Sequence, residues 1–398
     1  MEVRSGPTTV RGFRFAGVSA GLKTTPGAKD LGLIVADSEA AAAGVFTTNR
    51  VKAAPVVIAE QRVGRGRLRA VAANSGSANC FTGRAGLKLA RDSSAAVARE
   101  LGCAPDAVAP CSTGVIGHLF DLEKYRRGVR AAVAALSPDG LENFARAIMT
   151  TDTRPKLAWV SMRLGGADLT IAGAAKGAGM IQPHMATMLA FIATDAALAP
   201  PALRGMLKRV LPVSFNAITV DGDMSTNDTL MLMASGAAGN RRFSPRELAS
   251  FEVGVREVAR SLAWQLVHDG EGATKLVAIE VRGARSAAEA FRVARQIANS
   301  PLVKTAFFGC DPNVGRIIAA AGACGVAFDP GRLALQVAGV PIAARGALLV
   351  EALPQAQARM REREFRVILD LKQGRARAVV LTSDLSFDYV KINAEYTT

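Results

Sequence analysis

The stretch KGAGMIQPHMATMLAFIAT, residues 176–194, joins a glycine-rich loop to an apolar segment. A Gly-Ala-Gly sequence directly follows Lys176, so the backbone there can adopt positive φ angles and approach a ligand closely. The apolar run at 187–194 is typical of a strand buried on both faces. Thr187 thus lies where a loop meets a rigid element, a position in which a nucleophilic hydroxyl can be held facing a cleft. The alternative is that the strand begins with threonine because threonine favours strands.

Further segments are polar and rich in Gly, Asp, Thr or Asn, as ligand-binding loops are. In CSTGVIG, residues 111–117, the Thr113 hydroxyl and the Gly114 N–H could point at one oxygen and stabilise negative charge there. Each segment alone is also consistent with a turn held by local hydrogen bonds, but together they exceed what a purely structural protein needs. The other segments are ANSGSANCFTG (73–83), TTDTRPK (150–156), VDGDMSTND (220–228), HDGEGATK (268–275) and GCDPNVGR (309–316).

Hydrophobic periodicity and helix caps predict the elements that must position these loops. Gly102 ends one predicted helix, Asp121 is a good N-cap for the next, and Ser-x-x-Glu capping boxes begin at Ser244 and Ser286. The predicted helices are 85–101, 121–136, 245–267 and 287–299. The predicted strands are 31–37, 42–48, 54–59, 68–74, a hairpin at 156–174, 187–194, 333–339, and a second hairpin at 365–384 that turns at Gln373-Gly374.

This alternation of strands and helices predicts an α/β (α+β) fold of layered sheets and helices. A chain of 398 residues is long enough for two domains. We place the boundary near 280, which gives a catalytic layered domain at 1–280 and a smaller α+β domain at 281–398.

Composition excludes several other classes of protein. Hydrophobic residues make up 49% and charged residues 21%, which excludes a disordered chain. The five cysteines contain no C-x-x-C pair and only three histidines accompany them, so we expect reduced thiols and no metal site. No segment is suited to span a membrane or to direct export, and we expect a cytoplasmic protein.

The net charge of +15 makes a nucleic-acid partner one alternative. The basic residues are scattered, however, and the densest groups, 62–69 and 358–366, carry no zinc-finger, RNP or basic-zipper pattern. We therefore expect a solvated basic surface with a mild preference for small anionic substrates, and neither a nucleic acid nor a membrane as partner.

The order and wording of the polar segments resemble the ornithine acetyltransferase (ArgJ) family, whose members act as glutamate N-acetyltransferases in arginine biosynthesis. The resemblance runs from TNRVKAAPV at 48–56 to the terminal DLSFDYVKINAEYTT at 384–398. The string KGAGMIQPHMATML is specific to that family and its close relatives. The resemblance implies a layered fold related to that of the self-cleaving aminopeptidases.

In this family the precursor cuts its own backbone between the Ala and Thr of the M-A-T-M-L string, which here are Ala186 and Thr187. The resemblance thus implies processed chains of 1–186 (alpha) and 187–398 (beta), assembled as a heterotetramer of two of each. It implies that the new N-terminal threonine is the nucleophile. Its own α-amine, which titrates near neutral pH, can be the general base. Acyl transfer then needs no Ser-His-Asp triad.

The family's remaining roles fall on matching positions of this sequence. Thr113 and Gly114 match the oxyanion-hole pair. Lys176 and Glu271 would supply a positive and a negative charge. The substrates require both, because they carry an α-carboxylate and one of them also has a free amine. The substrate-binding positions implied by the resemblance are Thr150, Lys176, Thr187, Glu271, Asn393 and the terminal Thr398.

The activity that the resemblance implies is an autoproteolytic acyltransferase. It moves acetyl from N2-acetyl-L-ornithine to L-glutamate through an acetyl-Thr187 intermediate. No metal or organic cofactor is implied, and acetyl-CoA is a second acetyl donor in some members. A self-cleaving aminopeptidase or amidase, which passes the acyl group to water, is the alternative.

The sequence departs from the family's usual wording at a few positions near the predicted cleft. None of these departures removes a catalytic role, but they could change the preference for the acetyl donor. The positions are Ala178, where Ser is common, Gln182 and His184, which replace smaller or amide residues, and Val314, where Trp is frequent. Among the histidines, His268 with its neighbour Asp269 is the one pair to check for a role in catalysis.

Overall fold

The structure, a computed structural model, describes residues 2–182 and 188–395. The predicted cleavage junction Ala186–Thr187, His184 and the terminal Thr398 lie outside the described residues. The chain forms two compact units. Unit 1 contains the described residues up to Asn216 together with Asp223–Leu266, and unit 2 contains Ala217–Gly222 and the described residues from Val267 onward.

Unit 1 is built, within the described residues, on an eight-stranded sheet. Its strands are β1 (Phe13–Val18), β2 (Leu31–Phe46), β3 (Arg67–Asn74), β4 (Val108–Ser112), β5 (Lys156–Leu164), β6 (Ala167–Lys176), β7 (Leu189–Thr194) and, after the short strand β8 (Ile218–Thr219) of unit 2, β9 (Thr229–Ala234). Their order is β4-β3-β2-β9-β7-β6-β5, and β1 also pairs with β2. The predicted hairpin at 156–174 is confirmed as the antiparallel pair β5–β6.

β7 is an interior strand of this sheet, parallel to β9 and antiparallel to β6. All six of its residues are buried. A strand covered on both faces reads as a continuous apolar run, so the strand prediction at 187–194 is confirmed over the residues that the structure describes.

β2 is one sixteen-residue strand, although the sequence predicts two separate strands there. The exposed residues 37–39 coincide with a shift of register against β3 between Val35 and Ala40. Such a bulge changes the direction of a strand without ending it. β2 can therefore pair mainly with β3 along its first part and with β9 along its last six residues.

The apolar run at 54–59 is part of a helix, α1 (Ala54–Val63), and not the predicted strand. Pro55 lies in the first helical turn, where its missing N–H removes no intrahelical hydrogen bond, and Ala53 before it is extended. A short apolar run cannot be assigned by periodicity alone. The proline was the signal for a helix start that the strand prediction overlooked.

The predicted helices of unit 1 are confirmed, and their caps explain where they begin and end. Gly102 has a left-handed φ of 63°, the Asp121 carboxylate accepts two backbone N–H groups, and Ser244 and Glu247 exchange hydrogen bonds as a capping box. The helices after α1 are α2 (Gly83–Leu101), α3 (Leu122–Ala134), α4 (Leu141–Ile148), α5 (Pro200–Val210) and α6 (Pro245–His268).

Unit 2 is built on a seven-stranded sheet of order β13-β12-β11-β14-β10-β15-β8 in the described residues. Its remaining strands are β10 (Leu276–Ala284), β11 (Ala334–Val337), β12 (Val340–Ala344), β13 (Ala347–Leu348), β14 (Glu364–Asp370) and β15 (Ala376–Ser383), and its helices are α7 (Ala287–Asn299), α8 (Pro301–Phe308), α9 (Val314–Gly322), α10 (Leu353–Arg359) and α11 (Phe387–Glu395). The proposed boundary at 280 falls inside β10. Because β10 pairs with β14 and β15, it belongs wholly to unit 2.

β14 and β15 do not form the hairpin that the sequence predicts at 365–384. β10 lies between them, parallel to β14 and antiparallel to β15. The connecting turn wraps around the end of β10, since the N–H groups of Gln373 and Gly374 both donate to Gly283 O, at 2.7 and 2.8 Å. A Cβ atom at position 374 would lie 2.3 Å from Ala284 O, so the close approach requires glycine.

Each unit has its own hydrophobic core, in which alanine and branched aliphatic residues predominate over aromatic ones. In unit 2, for example, Ile279 of β10 and Val293 and Ile297 of α7 are fully buried in one cluster. Small side chains of this kind allow helices to lie close to a sheet. No helix in the described part of the chain is long and apolar enough to cross a membrane.

Candidate active site

Asp152, in the TTDT segment, is the centre of a buried charged cluster in unit 1. Its side chain is completely enclosed. Oδ1 accepts hydrogen bonds from Lys156 Nζ at 2.5 Å and from the Gly177 N–H at 2.7 Å, and Oδ2 accepts the Thr150 N–H at 2.9 Å. One carboxylate therefore joins the TTDT loop, the start of β5 and the glycine that follows β6.

The charges of neighbouring lysines keep Asp152 ionised. Burial acts to raise its pKa, but the positive charges of Lys156 and Lys176, with the hydrogen bonds from Lys156 and Gly177, lower the pKa below its ordinary value. Lys176 Nζ lies 3.3 Å from Thr150 Oγ1 and donates to it. Two of the predicted substrate-binding residues are thus in contact, and the lysine offers a cation to an anionic ligand.

Lys23 is a second half-buried cation in this cluster, and the sequence analysis missed it. Its Nζ donates to the carbonyl oxygens of Lys29 and Met149, at 2.9 and 2.8 Å. Burial lowers the pKa of Lys23 against the attraction of nearby aspartates, and the charge of Lys176 lowers it further. Asp30 fixes the backbone of this segment by accepting the Lys23 N–H at 3.0 Å. Lys23 and Lys176 thus both contribute positive charge to the surroundings of Asp152.

The CSTG loop adopts a conformation that only glycine permits at its turn. Gly114 has a φ of +126°, and a Cβ atom there would lie 2.4 Å from the carbonyl carbon of Gly76. The Thr113 N–H donates to Asn74 O at 3.0 Å. Within residues 2–182 and 188–395, no hydrogen bond engages the Thr113 hydroxyl or the Gly114 N–H. Both donors remain available to a ligand oxygen.

Two buried asparagines fix the CSTG loop beside the segment that leads into β9. Asn74 Oδ1 accepts the Ser112 hydroxyl at 2.6 Å, and Asn74 Nδ2 donates to Ser77 O at 3.1 Å. Asn227 Nδ2 donates to the carbonyl oxygens of Ser112 and Ala78, at 2.8 and 2.7 Å. The end of β4, directly before Thr113, is therefore held next to the start of β9.

Met188 is the first described residue after the predicted nucleophile, and the chain enters β7 there. Its neighbour Leu189 pairs with Lys176 of β6 on one side and with Thr229 of β9 on the other. The Thr229 N–H donates to Met188 O at 2.9 Å. The structure thus brings four predicted site residues to the end of unit 1 where β7 begins. They are Thr113, Gly114, Thr150 and Lys176.

Asp228 is a buried carboxyl at this entrance that the sequence analysis did not single out. Its Oδ2 is enclosed and has no hydrogen-bond partner among the described residues. Burial raises its pKa well above the ordinary value, although the charge of Lys176 and hydrogen bonds from Ser225 and Met188 oppose the shift. The sequence marked the segment 220–228 as polar, but nothing local distinguishes this aspartate from its neighbours.

In unit 2, the structure places Glu271 against Asn393. Asn393 Nδ2 donates to Glu271 Oε2 at 2.8 Å and to Tyr389 O at 3.0 Å. Glu271 is 9% exposed and lies in the loop before β10. A carboxylate that accepts one amide N–H retains lone pairs for an ammonium group. The two described residues of unit 2 that the resemblance assigns to the substrate are therefore neighbours.

Other segments singled out in the sequence have structural contacts of their own. His268 lies at the end of α6 against Arg363, whose Nη2 is 3.4 Å from His268 Nδ1. In DPNVGR, Asn313 caps α9 by accepting the Arg316 N–H at 3.1 Å, so this segment is a helix start. Across residues 2–182 and 188–395, no three His, Cys, Asp or Glu side chains are grouped as metal ligands.

Fold and site together define a two-unit α/β protein whose first unit gathers lysines and a glycine turn around the start of an interior strand. The sequence model of the ArgJ family matches residues 14–398. The chain therefore belongs to the ArgJ family, as the resemblance predicts.

The relatives carry names from arginine biosynthesis. The "arginine biosynthesis bifunctional protein ArgJ" of Geobacter sulfurreducens is 52% identical over 395 residues, which cover 98% of this chain and 100% of that protein. The protein of the same name from Symbiobacterium thermophilum is 45% identical over 396 residues, covering 99% of this chain and 98% of that protein. The crystal structure of ArgJ from Bacillus halodurans is similar with a TM-score of 0.50 and 38% identity, covering 52% of this chain and 98% of that chain.

Proposed function

We propose that this protein transfers the acetyl group of N2-acetyl-L-ornithine to L-glutamate through an acetyl ester on Thr187. The new N-terminus would arise because the chain cuts its own backbone between Ala186 and Thr187. Membership of the ArgJ family and the names of its relatives support an enzyme of arginine biosynthesis. The single observation that carries the proposal is that Lys176 pairs with the first residue of β7, while the residue before Thr113 is hydrogen-bonded to Asn227 just before β9, the neighbour of β7.

Acetyl transfer then occurs in two half-reactions. The Thr187 hydroxyl attacks the acetyl carbonyl carbon of the donor, and the Thr187 α-amine takes the hydroxyl proton. The oxyanion that forms accepts hydrogen bonds from the Thr113 hydroxyl and the Gly114 N–H. The C–N bond breaks, the proton passes to the ornithine nitrogen, and the acetyl ester of Thr187 remains. The amine of glutamate next attacks this ester, and Thr187 Oγ recovers a proton as it leaves.

The family resemblance gives Lys176 and Glu271 one charged substrate group each. Lys176, which donates to Thr150, binds the carboxylate, because it is a cation next to the entrance of β7. Glu271, which accepts from Asn393, binds the free amine of the donor. Thr398 would complete the substrate contacts that the family resemblance implies.

Self-cleavage is supported by the length of a solved relative. The Bacillus halodurans chain is 98% covered by the match, yet this match spans only 52% of our chain. A polypeptide of about half the length is what a cut near the middle would leave. We propose that two 1–186 and two 187–398 chains form a heterotetramer. Intact-mass analysis of active protein should show both fragments, and a full-length chain alone would contradict the cut.

The role of Thr187 is tested with two substitutions and one partial reaction. Thr187→Ala should give an uncut, folded and inactive chain, whereas Thr187→Ser should cut slowly and retain reduced activity. Wild-type protein incubated with acetylornithine and no glutamate should gain one acetyl group on the 187–398 fragment, and glutamate should remove it. Acetyl transfer at the wild-type rate by Thr187→Ala would overturn the covalent mechanism.

A second activity, N-acetylglutamate formation from acetyl-CoA, is favoured by the word "bifunctional" in the relatives' names. Release of the free thiol of coenzyme A in the presence of glutamate measures it. Acetate release from acetylornithine without glutamate would instead favour the amidase alternative. The two assays separate an acyltransferase from a hydrolase.

A further inference from the structure

Asp384 fastens the loop that carries Glu271 to the segment leading into α11. This loop, residues 269–275, lies between α6 and β10 and is called the Glu271 loop here. The Asp384 Oδ1 atom accepts the N–H groups of Thr274 and Lys275, both at 2.9 Å, and Oδ2 accepts the Thr274 hydroxyl. Asp384 is 3% exposed. A buried carboxylate with three donors from one loop leaves that loop little freedom.

A second contact joins the same two segments closer to Glu271. Ser386 Oγ donates to Gly272 O at 2.6 Å, and the Tyr389 N–H donates to Ser386 Oγ at 3.3 Å. Gly272 has a φ of +64°, and a Cβ atom there would lie 2.3 Å from the Tyr389 nitrogen. The backbone next to Glu271 is therefore pressed against the first turn of α11. Asn393 lies one turn further along that helix and reaches Glu271 from it.

Lys304 provides a buried positive charge near Asp384. It is 3% exposed, and its Nζ donates to Thr382 Oγ1 and to Ser383 Oγ, each at 3.1 Å. The Lys304 carbonyl oxygen accepts the N–H of Leu385, at 3.2 Å. The negative charge of Asp384 stabilises the protonated form of Lys304 and so raises its pKa, against the effect of burial. The lysine thus fixes the residues on both sides of Asp384 in the chain.

We propose that Asp384 is a positioning residue for the acetyl donor: it holds the Glu271 loop against α11, so that the Glu271 carboxylate is presented to the free ammonium group of the donor. This inference rests on the proposed function, in which the donor is the substrate that keeps a free side-chain amine. Glutamate has no second amine. The contact should therefore influence the donor half-reaction and leave the acceptor half-reaction nearly unchanged.

The experiment compares the KM for each substrate in the ping-pong reaction of the mature, cleaved protein, produced from the full-length chain. Asp384→Ala removes all three acceptor contacts, and we expect the KM for acetylornithine to rise about tenfold while the KM for glutamate changes by less than about twofold. Asp384→Asn keeps an oxygen for the two backbone N–H groups, so its KM for acetylornithine should lie closer to the wild-type value. Ser386→Ala should raise the same KM about threefold, since it removes both hydrogen bonds of Ser386 Oγ, one of which is to the Glu271 loop.

Asp370 supplies a matched control, because it is also a buried carboxylate of unit 2. It lies on β14, in the sheet whose strand β15 ends directly before Asp384. Its side chain bonds to Arg282 and Lys372, which lie outside the Glu271 loop. Asp370→Ala should lower stability and leave both KM values unchanged. If both KM values rise equally in Asp384→Ala, or if Asp370→Ala gives the same pattern, Asp384 has only a structural role and the proposal is overturned.

Glu271→Gln separates failure of this inference from failure of the proposed function. A raised KM for acetylornithine in Glu271→Gln, with no change in Asp384→Ala and Ser386→Ala, would overturn the positioning role alone. An unchanged KM in Glu271→Gln would overturn the donor-binding role of Glu271 and the inference with it. If Asp384→Ala does not fold, Ser386→Ala decides: an unchanged KM for acetylornithine in that variant overturns the proposal.

Discussion

The Asp152 carboxylate accepts the backbone N–H of Gly177 at 2.7 Å. Gly177 directly follows Lys176 at the end of β6, and Asp152 follows Thr150 by two residues. Because the bond is buried, it fixes the end of the strand that carries the lysine to the loop that carries the threonine. The hydrogen bond between Lys176 and Thr150 joins the same two segments a second time.

Asp152→Asn should therefore destabilise the protein and weaken substrate binding. The fully buried Lys156 would lose the negative charge of Asp152, and breaking such a pair costs about 3–5 kcal/mol. Urea denaturation gives the free energy of unfolding, and the KM values report binding. Asp195→Asn is the matched control, because Asp195 is also buried but its partner Arg11 is 53% exposed. The control should lose less stability and keep its KM values; equal effects of both variants would contradict the prediction.

Thr113→Ala should slow acetyl transfer on the order of a hundredfold, since an oxyanion-hole donor acts mainly in the transition state. Substrate binding should change little. Thr113→Ser retains the hydroxyl and is expected to keep most of the activity. Steady-state kinetics of protein with equal degrees of cleavage gives the comparison, because the same loop could serve the self-cleavage step. Unchanged turnover in the alanine variant would mean that the loop is only a turn.

Gly114→Ala should displace the CSTG loop, because the new Cβ would lie 2.4 Å from the Gly76 backbone. Gly117→Ala is a matched control: its φ of +84° strains an alanine, but no atom lies within 4 Å of the added Cβ. Both variants should lose about 1 kcal/mol to backbone strain. Only Gly114→Ala should also lose most of its acetyl-transfer rate. Comparable rates in the two variants would show that the clash is absorbed without effect on the site.

Lys304 should make stability increase with pH on the alkaline side. Burial lowers its pKa to about 8, from 10.5, so between these values the unfolded chain binds more protons than the folded one, and the free energy of unfolding rises with pH. The difference between wild type and Lys304→Met should grow in favour of wild type by roughly 2–3 kcal/mol between pH 7 and pH 10. Urea denaturation at both pH values measures it. The same comparison with Lys208→Met, at an exposed lysine, should give no such growth.

Local sequence signals were sufficient for the four helices that were predicted, α2, α3, α6 and α7, and failed where distant residues decide. Asp121 and Ser286 accept backbone N–H groups at the starts of their helices as predicted, because a cap depends on neighbours three residues away. The turn at Gln373-Gly374 was recognised, but the strand between its two arms comes from about ninety residues earlier in the chain. No local pattern encodes that insertion.

The same distinction applies to the candidate site. Thr113, Gly114 and Lys176 were singled out because each lies in a short segment of unusual composition, and their roles stay predictions. Lys23 was missed, because its role comes from contacts with a carbonyl 126 residues away and from the charge of Lys176. Asp228 lies in a recognised polar segment, but its enclosure depends on packing at the start of β9. The positions of Thr187 and Thr398 in the site stay predictions.

The strand order of unit 1 determines how the two proposed fragments would be held together. β9 and β7 belong to the 187–398 fragment and lie side by side between β2 and β6, which belong to the 1–186 fragment. The two fragments would thus be interleaved within one sheet. Separating them would break the backbone hydrogen bonds between β2 and β9 and those between β7 and β6 at the same time. Either fragment by itself would expose two bare strand edges, which invite aggregation. The proposed cut would therefore have to follow folding, and mixing fragments that were made separately would not restore the active protein.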